Sequence, residues 1–187
     1  SAVFDGNFRE SMDIGYHMLQ WAATGERLTA ETFAKYRKQG GFVAIHDIPE
    51  DAVTAAVAHP AVLIASDGLP AHPRNAGAYA RVLGHYVREK KTLSLMEALR
   101  KMSLMPAQRL EGRAPQMRGK GRVAVGADAD ITVFDPQRVI DRATLKEPAL
   151  PSEGFAHVLV GGVAVVKDGK LDRSVLPGKG VRAPVER

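Results

Sequence analysis

The sequence predicts an α/β protein in which alternating helices and strands are followed by a smaller antiparallel β module. Between residues 29 and 68, helical patterns alternate with short apolar runs of strand length. From Gly121 onward the apolar residues recur at every second position, which is the period of a strand with one covered face. We therefore assign residues 1–120 to an α/β domain and residues 121–187 to a β module with an extended tail.

The composition bounds the class of protein. With 45% hydrophobic and 25% charged residues, the chain has the make-up of a soluble globular protein. It has no cysteine, which excludes disulfides and thiolate metal sites and is compatible with a cytoplasmic protein. No apolar run approaches the ~20 residues of a transmembrane helix, so we expect no membrane partner. The net charge is +5, but the basic residues are spread among 21 acids, so we expect no nucleic-acid partner.

A first helix is predicted between Thr29 and Gly40. Thr29 is a favourable N-cap, and Glu31 places a negative charge in the first turn, where the helix dipole favours it. Gly40 ends the helix. Phe33 and Tyr36, three positions apart, predict its buried face.

Two apolar runs, Phe42–His46 and Ala61–Ala65, flank a second helix that begins at Pro49. All five residues of the second run are apolar, which is typical of a strand buried on both faces. Two such strands joined by one helix form a βαβ unit, and the strands of that unit are parallel.

The second run ends in Ser66-Asp67-Gly68. A buried parallel strand with an aspartate at its carboxyl end is how α/β barrels place catalytic groups. The same residues also suit a turn in which Asp67 only caps the next element. The eight residues Ala61–Gly68 alone leave both interpretations open.

Helices are also predicted for Gly77–Lys90 and after Ser94, which forms a capping box with Glu97. The β module should begin with the strands Arg122–Val125 and Ile131–Asp135. A tight hairpin should follow between residues 157 and 166, because Gly161-Gly162 suits a primed turn.

The two halves look incomplete. Two parallel strands do not form a stable sheet alone, and a complete (β/α)8 barrel needs about 250 residues. We therefore expect the chain to be a fragment of a longer protein or to pair with another chain.

Six segments between residues 40 and 184 resemble, in order and spacing, the N-acyl-D-amino-acid deacylases (D-aminoacylases) of the metal-dependent amidohydrolase superfamily. They are Ser66-Asp67-Gly68, His72-Pro73-Arg74, Arg81–Gly84, Met105–Leu110, Lys120–Pro136 and the hairpin Val160–Gly169.

This resemblance implies a (β/α)8 barrel beside a small β-sandwich. Phe42–His46 would be barrel strand 7 and Ala61–Ala65 barrel strand 8, and residues 121–170 would be the C-terminal part of the sandwich. The expected fold is therefore α/β, made of the last part of a (β/α)8 barrel with its helices and the C-terminal part of a small β-sandwich.

The resemblance also implies a reaction, the zinc-dependent hydrolysis of the amide bond of N-acyl-D-amino acids. Asp67 would bind the metal and act as the catalytic base that passes a proton from water to the leaving amine. Arg74 would bind the carboxylate of this small-molecule substrate through its guanidinium fork, with His72 beside it. An ordinary loop charge is the alternative for Arg74.

The chain departs from the family in its metal ligands. The family site needs a His-x-His pair and further ligands, but no two of the six histidines here are two positions apart. One carboxylate does not hold a catalytic zinc, so we expect the complete enzyme, and not this chain alone, to bind it. We expect the chain to be inactive without the N-terminal half of the parent enzyme or self-association. His46 either lines the pocket or is a hydrogen-bonded histidine of structural importance only.

Two other functions remain open at this point. In the first, the chain would be a non-catalytic binding or assembly module that reuses the fold. In the second, its parent would be an amidohydrolase that acts on cyclic amides.

Overall fold

The computed structural model describes residues 2–6, 8, 15–68 and 72–184. It contains two compact units. The first comprises Ser1–Ala56, Ser66–Ala78 and Arg142–Pro151, and the second comprises Val57–Ala65, Tyr79–Asp141 and Ser152–Arg187. The boundaries between the two units do not fall at residue 120. The predicted division at that residue concerns the domains of a longer protein and stays a prediction.

The first unit contains a three-stranded antiparallel sheet. Its strands are β1 (Ala2–Phe4), β2 (Leu19–Trp21) and β3 (Gly41–Ile45), and β3 lies in the centre. A 3-10 turn, Tyr16–Met18, precedes β2. The central strand is antiparallel to both neighbours.

The helix α1 (Ala30–Gln39) forms as predicted, and its ends show why. The Thr29 hydroxyl accepts the Thr32 N–H, and the Thr32 hydroxyl accepts the Thr29 N–H, so two N–H groups at the helix start are satisfied. Gly40 ends the helix at φ 76°, a value that favours glycine.

The core of this unit is aromatic, and α1 contributes the face that the sequence predicts. Phe33 and Tyr36 are buried. The Tyr36 ring stacks on Trp21 with 4.5 Å between ring centroids. Further buried members of the cluster are Phe4, Leu19, Leu28 and Val43.

Among the described residues, the structure does not contain the predicted pair of parallel strands. Of the run Phe42–His46, all residues except His46 lie in β3, which is antiparallel to its neighbours, and Ala61–Ala65 lies in no strand. The helix between them, α2 (Glu50–Ala58), begins after Pro49 as predicted. A parallel strand needs hydrogen-bonded neighbours in its own sheet, and the described residues supply none for Ala61–Ala65.

Most of the remaining helical residues belong to the second unit. The helix α3 (Arg74–Arg81), of which residues 74–78 belong to the first unit, continues as π-helical turns over Val82–Glu89. The helix α4 (Leu95–Leu99), the π-helical turn Arg100–Leu104 and α5 (Met105–Leu110) follow one another without a break. Both helical runs agree with the sequence prediction, and the Ser94 hydroxyl accepts the Glu97 N–H as expected. A 3-10 turn follows at Pro115–Gly119.

The β module is a four-stranded antiparallel sheet in the order β4, β5, β6, β7. These strands are Ile131–Phe134, Phe155–Val160, Val163–Lys167 and Lys170–Leu171. The predicted glycine turn is present, with Gly161 at φ 56° and Gly162 at φ 83°. The predicted strand Arg122–Val125 is not formed, because Val123 and Val125 lie exposed without strand partners among the described residues.

Within the part of the chain that the structure describes, no helix is long and apolar enough to cross a membrane.

Candidate active site

Asp67 lies at the end of the irregular segment that follows α2. Its backbone has φ 46°, in the left-handed region that aspartate tolerates better than most residues. Gly68 follows, and a Cβ there would lie 2.5 Å from Asn75 Oδ1, so a larger residue would have to displace the Asn75 side chain. The Asp67 side chain is 82% exposed, which leaves its carboxylate accessible to a ligand or a proton donor.

Arg74 is the first residue of α3 and lies close to Asp67. Its Nη2 atom lies 2.8 Å from Asp67 Oδ2. The Arg74 side chain is 28% exposed, and its Nε is buried without a hydrogen bond to any described residue. The inner nitrogen of the guanidinium is therefore unsatisfied among the described residues, while its outer Nη2 contacts a carboxylate.

His72 supports the start of the same helix. Its Nδ1 accepts the backbone N–H of Arg74 at 3.1 Å, which satisfies one of the N–H groups that a helix start leaves free. Accepting this bond requires a neutral Nδ1. Burial, with the Arg74 charge next in importance, lowers the pKa of His72 to about 4. The structure thus shows His72 supporting Arg74, while its predicted contact with substrate stays a prediction.

His46 follows β3 and is held by β2. Its backbone N–H donates to Met18 O, and its Nε2 lies 2.9 Å from Gln20 Oε1. Burial, followed by the charge of Arg27, lowers its pKa. The hydrogen bond favours the structural alternative for this histidine over a free ligand in a pocket.

The residues of this site do not form a zinc site by themselves. Over residues 2–6, 8, 15–68 and 72–184, no group of three or more His, Cys, Asp or Glu side chains is arranged to hold a metal ion. A catalytic zinc takes three protein ligands, and the Asp67 carboxylate faces a guanidinium.

Lys101 is a residue that the sequence analysis missed. It is fully buried, and its Nζ donates to the backbone carbonyls of Val57, at 2.8 Å, and His59. One signal was available in the sequence: Lys101 lies three residues after the apolar Ala98, a spacing that places both on the same face of a helix.

Comparison with known proteins gives a consistent result. Residues 51–166 match the sequence model of the Amidohydrolase family. The chain is 48% identical over 120 residues to N-acyl-D-glutamate deacylase from Alcaligenes xylosoxydans xylosoxydans, covering 62% of this chain and 24% of that protein. It is 37% identical over 130 residues to N-acyl-D-aspartate deacylase from the same organism, covering 67% of this chain and 25% of that protein.

A solved structure is similar as well. It is N-acyl-D-glutamate deacylase from Bordetella bronchiseptica, complexed with zinc and a phosphonate inhibitor that mimics the tetrahedral intermediate. It superposes with a TM-score of 0.63 at 40% identity, covering 75% of this chain and 30% of that chain. The chain thus spans about a quarter of the length of the curated relatives that it matches.

Proposed function

The chain belongs to the amidohydrolase family, and on that premise we propose that it is the part of an N-acyl-D-amino-acid deacylase that supplies Asp67 and Arg74. The family resemblance predicted from the sequence is confirmed by the family match and by the deacylase relatives. The observation that carries the proposal is the 2.8 Å approach of Arg74 to Asp67, inside the matched residues.

The substrate would be an N-acyl-D-amino acid with an acidic side chain. Two of the relatives act, by their names, on the glutamate and aspartate derivatives. Such a substrate carries a carboxylate, which a guanidinium binds through two parallel hydrogen bonds. Arg74 Nη2 already contacts a carboxylate oxygen, at 2.8 Å, which supports its role as the substrate anchor.

Asp67 would act as the general base. Its exposed carboxylate accepts a proton from the attacking water and returns it to the leaving amine, which departs neutral. The relative from Bordetella contains zinc, but the described residues of this chain include no group of three possible ligands, so the metal role of Asp67 remains a prediction about the complete enzyme.

In that complete enzyme, Phe42–His46 and Ala61–Ala65 would be strands 7 and 8 of the barrel, and residues 121–170 would belong to the sandwich. The similarity to the solved deacylase supports this, because the chain covers only 30% of that enzyme, and a complete barrel needs strands from the remainder. The isolated chain would then be inactive and would need the remaining part of the enzyme.

A chimaeric enzyme tests the proposal. In the Alcaligenes N-acyl-D-glutamate deacylase, the matched segment of 120 residues is replaced by the corresponding residues of this chain. We expect the chimaera to hydrolyse N-acetyl-D-glutamate, and we expect neither the isolated chain nor the Asp67→Asn chimaera to do so.

Other outcomes would replace the proposal with a named alternative. A folded chimaera that binds the substrate without hydrolysing it would support the non-catalytic binding module. A chimaera that hydrolyses only cyclic amides would support the alternative substrate class. Hydrolysis by the isolated chain would overturn the proposal that it needs the rest of the enzyme.

A further inference from the structure

We infer that Lys101 is a positioning residue that fixes the segment leading to Asp67. Lys101 is a charged side chain with no solvent exposure, and it lies in the helical run between Leu95 and Leu110. No carboxylate among the described residues pairs with it, and the reaction proposed above does not use it.

The ammonium group binds the carboxyl end of α2. Its Nζ donates to Val57 O at 2.8 Å and to His59 O. The last carbonyls of a helix lack partners within the helix and carry the negative end of its dipole, so a buried ammonium is stabilised there. The end of α2 is thereby held against the helical run that contains Lys101.

The backbone of the same residue holds the segment a second time. Ile64 N–H donates to Lys101 O at 3.2 Å. Residues 62–68 belong to no helix or strand, so no ladder of hydrogen bonds fixes them. Lys101 therefore fixes the segment at Val57, His59 and Ile64, and Ile64 is only three residues before Asp67.

The charge of Lys101 indicates that its contact with the Val57 and His59 carbonyls depends on directed hydrogen bonds. Burying an ammonium is unfavourable until its hydrogen bonds are counted, because the group loses its hydration. A methionine would fill the same volume at a lower desolvation cost. The lysine therefore contributes fixed positions for two carbonyl groups, which an apolar side chain does not supply.

The consequence for catalysis rests on the proposed function. A misplacement of the order of 1 Å, caused by a change away from the chemistry, costs about 10²-fold in rate. Asp67 follows this segment directly along the chain, so a looser segment would hold the base less firmly. The loss would therefore fall on kcat, with little change in KM.

Amide hydrogen exchange of this chain tests whether Lys101 fixes the segment of residues 57–68. Lys101→Met is compared with the wild type and with Arg100→Met, which removes the neighbouring exposed charge of the same helical run. We expect amides of residues 57–68 to exchange at least about tenfold faster in Lys101→Met, which corresponds to the loss of one charged hydrogen bond. Exchange in residues 95–110 should be unchanged, and Arg100→Met should behave as the wild type.

A second measurement uses the unsubstituted protein. It tests the inference even if the Lys101→Met variant does not fold. In protein labelled with ¹⁵N-lysine, the ammonium signal of Lys101 should persist at neutral pH, where those of exposed lysines are lost to exchange with water. An ammonium of Lys101 that exchanges as fast as the exposed ones, or equal exchange of residues 57–68 in the wild type and Lys101→Met, overturns the inference.

The catalytic part is tested in the chimaera. We expect Lys101→Met to lower kcat by about 10–10²-fold at nearly constant KM, and Lys101→Arg to recover part of the loss. An inactive unsubstituted chimaera would overturn the proposed function, while hydrogen exchange would still decide the contact. Faster exchange with an unchanged kcat would show that Lys101 has a structural role only.

Discussion

Arg74 Nη2 lies 2.8 Å from Asp67 Oδ2, so the residues proposed as substrate anchor and general base are paired with each other in this structure. The carboxylate of the pair is 82% exposed. An ion pair with so exposed a partner is worth about 0–1 kcal/mol. A substrate carboxylate can therefore take the place of Asp67 on the guanidinium at a small energetic cost.

Replacing Asp67 by Asn in the chimaera should lower kcat by about 10²–10⁴-fold, because the amide accepts no proton. KM should stay constant or fall by up to about fivefold, since a neutral amide competes less for Arg74 and the pair is worth at most ~1 kcal/mol. Steady-state kinetics with a folding check by circular dichroism measure both. If kcat remained above about a tenth of the unsubstituted value, Asp67 would not be the general base.

Replacing Arg74 by Ala should mainly raise KM, by about 10–100-fold, because a hydrogen bond to a charged group is worth about 1.5–3 kcal/mol. The contact with the substrate carboxylate is present both in the bound complex and in the transition state, so kcat should change little. Arg74→Lys is the matched control, since it keeps the charge and removes the fork. A large fall in kcat at constant KM would contradict the anchoring role.

His72 should titrate with a pKa near 4 in the folded chain, because burial disfavours the imidazolium. Its folded pKa lies below the usual 6.5, so its contribution to stability is complete above about pH 6.5 and is lost as the pH falls toward 4. NMR titration of the ring measures this pKa. His72→Asn, whose carbonyl oxygen can accept the same N–H of Arg74, should abolish this pH dependence and keep the helix start, whereas an ordinary pKa in the wild type would contradict the buried contact.

The features that the sequence predicted well depend on neighbouring residues. The caps at Thr29 and Ser94 and the turn at Gly161-Gly162 are formed by residues within four positions of one another. Their energies depend on local backbone geometry, which a short stretch of sequence determines.

The features that it missed depend on distant partners. The run Phe42–His46 was predicted as a strand, but its antiparallel pairing with β1 and β2 is set by residues far along the chain. Ala61–Ala65 is apolar enough for a strand and finds no partner strand among the described residues. Lys101 was missed because a lysine in a helical pattern is usually exposed, and its carbonyl partners are 42 and 44 residues away.

Asp130 should stabilise the β module in a pH-dependent way. Its Oδ2 accepts Lys120 Nζ at 2.6 Å and its Oδ1 accepts the Gly161 N–H at 2.8 Å; these two bonds lower the pKa of Asp130 below 3.8. A lowered carboxyl pKa gives stability that is complete above the unfolded pKa and is lost as the pH falls through the folded one.

The variant Asp130→Asn should therefore unfold at a lower temperature than the wild type near pH 6, and the difference should shrink below pH 3.8. Thermal unfolding followed by circular dichroism between pH 3 and 7 measures the difference. Asp128→Asn is the control, because Asp128 contacts the same lysine at 3.1 Å but is more exposed, and its effect should be smaller. A difference between the wild type and Asp130→Asn that does not depend on pH would contradict the assignment.

Gly84 lies where the helix after α3 packs on the loop that contains Val139. A Cβ at this position would lie 2.8 Å from Val139 O, and that carbonyl also accepts a hydrogen bond from Arg88. Val139 is fully buried, so the loop has little room to move away. This contact gives a physical reason for a glycine in the segment Arg81–Gly84, which the sequence analysis used only as a family resemblance.

Gly84→Ala should therefore destabilise the protein by about 1–3 kcal/mol, the usual cost of overpacking a filled site. This cost exceeds the roughly 0.5–1 kcal/mol that alanine gains over glycine within a helix. Gly112→Ala is the matched control, because a Cβ there meets nothing within 4 Å, and it should be neutral or slightly stabilising. Thermal unfolding should show a midpoint lower by several degrees for Gly84→Ala alone, at about 2–4 °C per kcal/mol for a chain of this length. An unchanged or raised midpoint would mean that the helix and the loop are not in contact at Gly84.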